Sequence, residues 1–176
     1  MKIKKYILMF LVVTIFVQTP FGINSYAKTY NSCVSLPSTI VSNPNIEEYV
    51  DGEILNAYIN GERLKLFVAK ERDTIIKGLS GINKIPFDGM IFLFGKARKI
   101  SFWMKDMKFS LDIVWVQNNV IVGVTENIKP EPGVPVERLK TYPSPTEVDT
   151  VIELSAGRAK QLNIKEGNIL ILEHGD

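Results

Sequence analysis

Short apolar segments of strand length recur through residues 51–173, and each is bounded by residues that favour turns. The clearest example is Asn60-Gly61, which separates the apolar segments 54–59 and 64–69. An Asn-Gly pair between two such segments is a strong signal for a β-hairpin with a two-residue turn. The pattern therefore predicts a chain of short strands joined by tight turns.

The remaining segments extend this pattern. Further strands are predicted at 90–94, 100–104, 111–116, 120–125, 150–154 and 168–172, and short helices at 71–79 and 156–162. The strands from 90–94 to 120–125 are expected to form a meander with tight turns. Residues 129–146 contain five prolines, which exclude a central strand or helix there. The sequence predicts a mainly β fold: a compact β-sandwich, jelly-roll-like or barrel-like domain with one or two short helices.

The N-terminus has the composition of an export signal. Lys2, Lys4 and Lys5 precede an apolar run at 6–17, and small residues lead up to Ala27. Cleavage after Ala27 would release the protein outside the cytoplasm, as an extracellular or cell-envelope protein. The alternative is an uncleaved anchor that tethers the protein to the membrane, although the run has about twelve residues and a spanning helix needs about twenty.

Charge and composition exclude several classes of protein. Removing residues 1–27 takes away three lysines and no acid, which leaves 18 basic and 19 acidic residues. That balance lacks the basic footprint of a nucleic-acid-binding protein. One cysteine and one histidine exclude an intrachain disulfide framework, a multi-cysteine metal site and any metal or catalytic motif that needs two histidines, and the sequence predicts no metal or cofactor. We assign 28–50 to a linker, 51–173 to a single domain and 174–176 to a tail.

Four residues are candidates for a site. Asp112 and Glu153 interrupt apolar strands, and Lys105 follows Trp103 by two residues, which would place both on one face of a strand. A buried charge must be paired or coordinated because burying it alone is costly. These residues therefore form a structural ion pair, a ligand pocket with an aromatic wall, or a catalytic carboxylate pair as in glycoside hydrolysis.

Several motifs in order along the chain are similar to those of a known family. They are Gly78-Leu79, Gly89-Met90-Ile91-Phe92-Leu93-Phe94, Phe102-Trp103-Met104-Lys105, Leu111-Asp112-Ile113, Ile152-Glu153-Leu154-Ser155-Ala156-Gly157 and Ile164-Lys165-Glu166-Gly167-Asn168. Over about residues 53–172 the chain resembles the domain of unknown function 192 family, which comprises small uncharacterised proteins that are often exported or membrane-tethered. The resemblance implies a compact β-sandwich or jelly-roll-like fold and no assigned activity. Two positions depart from the family pattern: Ser80 replaces a usual methionine, and the loop directly before Tyr142 lacks the cysteine that many members have there.

Three functions remain open on this basis. The first is a binding module for a small ligand, an envelope glycan or a protein partner, with Trp103, Lys105, Asp112 and Glu153 as candidate ligand-binding residues. The second is a hydrolase that uses the carboxylates of Asp112 and Glu153. The third is an envelope accessory module that acts through the proline-rich segment 129–146. The residues favour the binding module and identify no catalytic group.

Overall fold

The computed structural model describes residues 46–175, and within them the fold is mainly β, with nine strands and two short helices. In chain order these are β1 (Ile54–Ile59), β2 (Glu62–Ala69), α1 (Arg72–Lys77), β3 (Gly89–Arg98), β4 (Ser101–Trp103), β5 (Leu111–Gln117), β6 (Val120–Ile128), β7 (Thr141–Pro143), β8 (Val148–Ser155), α2 (Arg158–Gln161) and β9 (Leu170–His174). The predicted fold class is therefore confirmed. The predicted signal or anchor, at 1–27 and 6–17, lies outside the described residues.

Seven strands form one curled sheet, a half-barrel, in the order β6-β5-β8-β3-β2-β1-β9. Its two edge strands approach each other at one end, where Val120 forms an isolated bridge with Ile169. The amide of Ile121 also donates to the carbonyl of Asn168 (2.9 Å). The sheet is therefore partly closed on itself, which leaves less of its edges open to unwanted strand pairing.

The predicted hairpin is present. β1 and β2 pair antiparallel across Asn60 and Gly61, whose φ angles of 55° and 80° lie in the left-handed region. Asn and Gly tolerate this region better than other residues, as a tight hairpin turn requires. The Asn60 Nδ2 donates to the carbonyl of Asn163 (2.9 Å), so the hairpin turn is fastened to the segment that follows α2.

The expected meander of consecutive strands after the helix is wrong except for its last pair, β5 and β6, which are antiparallel neighbours. β2 and β3 are parallel neighbours, with α1 in the crossover between them, and β8 rather than β4 is the next strand beside β3. β4 instead pairs with β7, from the proline-rich segment, in a separate two-stranded sheet. That segment contributes no strand to the half-barrel, in agreement with its proline content.

Two layers of apolar side chains pack on opposite faces of the half-barrel. The inner face holds one cluster to which all seven strands and α2 contribute. The outer face holds a second cluster, built on β3, β5 and β8 and covered by the chain around α1, β4 and β7. Strand residues alternate between these two layers, so the central strands are buried on both faces.

The packed chain extends slightly beyond both predicted boundaries. Tyr49, assigned from sequence to the linker, is 4% exposed, and its ring lies 4.9 Å from that of His174. His174 ends β9 rather than lying wholly in a tail. Within the described residues, no helix is long and apolar enough to cross a membrane.

Candidate functional site

Glu153 lies in the middle of β8 on the outer face of the sheet. Its cross-strand neighbours are Met90 on β3 and Ile113 on β5, both members of the outer apolar cluster. The residue is 5% exposed, and its Oε2 atom is buried without a hydrogen-bond partner. Because burial disfavours the charged carboxylate, it raises the pKa of Glu153 to about 8. At neutral pH the side chain is therefore mainly an uncharged carboxylic acid.

Asp112 is also buried, but both of its carboxylate oxygens accept hydrogen bonds from the backbone. Its Oδ1 accepts from the amide of Asn127 (2.8 Å), and its Oδ2 accepts from the amide of Ala159 in α2 (3.0 Å). Asn127 lies where the β5–β6 register shifts, and its φ of 54° marks the irregular backbone there. Asp112 therefore holds the bulge of β6 and the start of α2 against β5.

The two carboxyl groups do not share a site. Asp112 is opposite Leu154 and Glu153 is opposite Ile113, so one-residue parity puts the two acids on opposite faces of the sheet. The sheet itself separates them, and they cannot act on one substrate as a pair of general acid and nucleophile. The paired-carboxylate arrangement considered from sequence is absent.

Trp103 lies in strand β4, whereas Lys105 lies outside that strand. β4 ends at Trp103, and Lys105 lies in the turn that follows, where Asp106 has a φ of 55°. Strand parity therefore does not extend to Lys105. Within residues 46–175, its side chain forms no ion pair with Asp112 or Glu153, and its carbonyl accepts from the hydroxyl of Ser80 (2.7 Å). Trp103 is 44% exposed, whereas Trp115 is buried and donates through Nε1 to Thr125 Oγ1 (2.9 Å).

A cleft of about 540 Å³ lies beside α1, between that helix, the loop after it and the outer face of β2 and β3. We call it the α1 cleft. It is lined by Phe67, Asp73, Thr74, Lys77, Gly78, Leu79, Ile82, Lys84, Pro86 and Met90. Most of these residues are apolar, and Met90 is the cross-strand neighbour of Glu153. The cleft has the size and apolar character of a small-molecule site.

A second cavity, of about 570 Å³, lies further along the same side of the sheet. We call it the basic groove. It is lined by Asn83, Lys84, Ile85, Phe109, Ser110, Asn127, Lys129, Ser155 and Ala156, with two lysines and no acid. Lys84 lines both cavities. Along β8, Ser155 at the groove follows Glu153 by two positions on the same face.

Sequence reasoning singled out Glu153 as an acid within an apolar strand but gave no indication of the α1 cleft. Glu153 stood out as an acid inside an apolar strand, and the structure places it beside a residue of the cleft. Lys77 and Lys84 gave no comparable signal, because exposed lysines on a short helix and a loop are common. Among the described residues, no group of three or more His, Cys, Asp or Glu side chains is placed to hold a metal ion.

Comparison with known proteins identifies the fold and a family. The model of the DUF192 family, described as "Uncharacterized ACR", matches residues 55–172. A crystal structure of a "putative transcription regulator" from Sinorhizobium meliloti aligns with a TM-score of 0.61 and 24% identity, covering 70% of this chain and 97% of that one. A protein of unknown function from Novosphingobium aromaticivorans aligns with a TM-score of 0.58 and 24% identity, covering 67% of this chain and 84% of that one. No curated protein matches the chain. At these identities the structural likeness establishes the fold alone.

Proposed function

Because the chain belongs to the DUF192 family, for which no activity is assigned, we propose a function from the geometry of the α1 cleft: the domain is a binding module for a small, largely apolar ligand. The observation that carries this proposal is an apolar cleft of about 540 Å³ whose lining residue Met90 is the cross-strand neighbour of Glu153, a buried acid with an unpartnered carboxyl oxygen. Small-molecule sites typically combine these two features, an apolar wall and a few polar groups.

The walls of the α1 cleft suit an apolar group. Phe67 and Met90 provide its floor on the sheet, and Leu79 and Ile82 come from the segment after α1. Methionine side chains are flexible and polarisable, so Met90 can adapt to ligands of different shape. Burying an apolar group here is favourable by about 25 cal/mol for each Å² removed from water.

Glu153 supplies the polar element of this proposal. A buried carboxyl group without a partner costs free energy, and such a cost persists in folded proteins chiefly where function requires it. In its neutral form the group can both donate and accept a hydrogen bond. A ligand that extends past Met90 would give Oε2 its missing partner. We expect Glu153, rather than Asp112, to contribute to binding.

The test uses a neutral probe and a variant that fills the cleft. Decyl maltoside, below its micelle concentration, should perturb backbone amide resonances over residues 77–90 of the ¹⁵N-labelled protein. Ile82→Trp should abolish this binding by occupying the cleft, and the matched variant Ile169→Trp, in a separate cavity beside β9, should leave it unchanged. Near-ultraviolet circular dichroism would confirm that both variants keep the fold. Equal affinity in the two variants would overturn the proposal.

A second candidate is glycan binding at Trp103. The face that β4 and β7 turn to solvent carries Trp103 opposite Thr141, and Ser101 opposite Pro143, all four of them exposed. An exposed indole beside hydroxyl groups suits the apolar face and the hydroxyls of a sugar ring. Because Trp115 is buried, fluorescence quenching by soluble peptidoglycan fragments would report Trp103. Loss of co-sedimentation with peptidoglycan in Trp103→Ala, but not in the exposed Val136→Ala, is the expected result.

The proposed location of the protein, outside the cytoplasm, rests on the export signal predicted at residues 1–27. We expect mature protein outside the cytoplasm that begins at Lys28, or full-length protein held in the membrane by residues 6–17. N-terminal sequencing of fractionated cells distinguishes the two forms, and an intact chain in the cytosol would contradict both.

A further inference from the structure

The α1 cleft and the basic groove meet at Lys84. The cleft is mainly apolar, whereas the groove has two lysines, two asparagines and two serines among its nine lining residues. Their lining residues are also close together in the sheet: Met90 lines the cleft, the buried Glu153 is its cross-strand neighbour, and Ser155 lines the groove two positions further along β8. One face of the protein thus joins an apolar site to a polar, cationic one.

The cations of the groove are not neutralised by the protein. Within residues 46–175, the side chains of Lys84 and Lys129 form no hydrogen bond or ion pair. A third lysine, Lys108, donates to Asn83 Oδ1 (2.9 Å), which places its charge beside the groove. No acidic residue lines the groove. This local charge contrasts with a domain that is close to neutral overall, and it favours an anionic occupant.

We propose that the ligand is a single-chain amphiphile with a phosphate head: its chain fills the α1 cleft and its head lies in the basic groove. This inference rests on the proposed function and adds the chemical class of the ligand. The chain would pack against Met90 and Ile82, and the head would be bound by Lys84 and Lys129.

The chemistry of the groove suits phosphate in particular. Lysine ammonium groups bind phosphate as point charges, and charge-assisted hydrogen bonds are about twice as strong as neutral ones. The hydroxyls of Ser110 and Ser155 and the side-chain NH₂ group of Asn127 can donate to the remaining phosphate oxygens. Burial keeps Glu153 uncharged at neutral pH, so the acid between the two floors does not repel the head.

The test compares three probes by isothermal titration calorimetry on the purified protein. These are decyl phosphate, decyl maltoside and inorganic phosphate, with both amphiphiles below their micelle concentrations. Decyl phosphate should bind at least about tenfold more tightly than decyl maltoside, as expected for hydrogen bonds to a charged group. Its affinity should fall with rising salt, because added ions screen exposed charges.

Substitutions of lysines test whether the phosphate head of the ligand lies in the basic groove. In Lys129→Met, which changes a lysine of the groove that does not line the cleft, the affinity for decyl phosphate should fall towards that for decyl maltoside, whose own affinity should not change. In Lys84→Met/Lys129→Met the affinity for decyl phosphate should fall to that for decyl maltoside measured on the same variant. Lys165→Met removes an exposed lysine that lines neither cavity, and it should bind both probes as the unchanged protein does. Near-ultraviolet circular dichroism in the presence of each probe would exclude unfolding by the amphiphile.

Other results of these titrations would each overturn a stated part of the proposal. Equal affinity for the two amphiphiles would overturn the phosphate head and leave the proposed apolar site standing. Failure of both amphiphiles to bind would overturn the proposed function as well. Inorganic phosphate binding as tightly as decyl phosphate would overturn the requirement for a chain. Phosphatidylglycerol vesicles are titrated as a further sample, and binding to them without binding to decyl phosphate would overturn the single-molecule ligand in favour of a membrane surface.

Discussion

Asp112 and Glu153 lie on adjacent strands of one sheet but point to opposite faces of it. The register pairs Asp112 with Leu154 and Glu153 with Ile113. The Asp112 carboxylate accepts from two backbone amides on the inner side, whereas Glu153 has a buried oxygen without a partner on the outer side. The same pattern in sequence, an acid within an apolar strand, thus serves two purposes, and substitutions should separate them.

Replacing Asp112 should destabilise the fold strongly. In Asp112→Ala the amides of Asn127 and Ala159 lose their acceptor, and leaving such donors unpaired in the interior should cost about 2–4 kcal/mol. Urea unfolding followed by circular dichroism measures the loss. Glu166→Ala, at an exposed position without a side-chain hydrogen bond, is the matched control and should change the stability by less than about 0.5 kcal/mol. A similarly small effect at Asp112 would contradict its structural role.

Replacing Glu153 should change how stability depends on pH. Its pKa rises from 4.5 to about 8 on folding, so the unfolded chain loses this proton first. The folded state should therefore lose stability as pH rises from about 4.5 to about 8, and keep it below about 4.5. Glu153→Gln should remove this slope and be more stable than the unchanged protein at pH 7, by on the order of 3 kcal/mol.

Urea midpoints measured from pH 4 to pH 9 test this expectation. Glu62→Gln changes an exposed glutamate on β2 and should retain the slope of the unchanged protein. Parallel stability curves for Glu153→Gln and the unchanged protein would mean that the Glu153 carboxyl is solvated or paired in solution. Such a result would also remove the polar element from the proposed ligand site.

The local features of the fold could be predicted from sequence because they depend on neighbouring residues. The Asn60-Gly61 turn and the alternation along β2 are visible in a few residues. The pairing partner of each strand is not visible in a few residues. The parallel pairing of β2 with β3 depends on a crossover through α1, and β4 pairs with β7, which lies in a distant segment of the chain. For this reason the expected meander was wrong for β3 and β4 and correct only for the hairpin of β5 and β6.

The candidate site was predictable in part for the same reason. The acids at 112 and 153 are conspicuous inside apolar strands, and both prove to be buried. Their opposite faces follow only from the register between β5 and β8, which the sequence does not state. Lys105 was placed by extending strand parity past Trp103, but the chain turns there, with Asp106 at a φ of 55°. The α1 cleft combines residues of β2, α1 and β3, so no single motif encodes it.

The cost of backbone strain can be measured at Gly61, in the turn between β1 and β2. Gly61 has a φ of 80°, and no atom lies within 4 Å of the place where a Cβ would be added. Strain rather than a clash therefore decides the cost, and Gly61→Val should lose at least about 1 kcal/mol. Gly61→Asn is the matched control, because asparagine tolerates this backbone region, and it should lose clearly less. Equal losses in urea unfolding would point to a cause other than the backbone angle.

Asp51 should make the start of α1 sensitive to acid. Its Oδ1 accepts from the amides of Lys70 (2.7 Å) and Glu71 (2.9 Å), and its Oδ2 accepts from the hydroxyl of Thr74 (2.6 Å). Burial alone would raise the pKa of Asp51, but these hydrogen bonds lower it below 3.8. The folded state therefore binds this proton less readily than the unfolded chain. Its contribution to stability is present above about pH 3.8 and is lost as pH falls through the lowered pKa.

Asp51→Asn should cost about 1 kcal/mol at pH 7, in the range found for a lost helix cap, because the neutral amide is a weaker acceptor and its NH₂ group cannot accept. The difference from the unchanged protein should shrink as pH falls below the usual range of an aspartate. Glu147→Gln, at an exposed position without a side-chain hydrogen bond, should keep the acid sensitivity of the unchanged protein. Amide hydrogen exchange at Glu71 and Ile75 reports α1 directly, and it should accelerate in Asp51→Asn but not in Glu147→Gln.

Because Asp73, Thr74 and Lys77 of α1 line the α1 cleft, Asp51→Asn should also bind decyl maltoside more weakly. Unchanged exchange at Glu71 together with unchanged binding would mean that α1 is held by its apolar contacts and does not depend on Asp51.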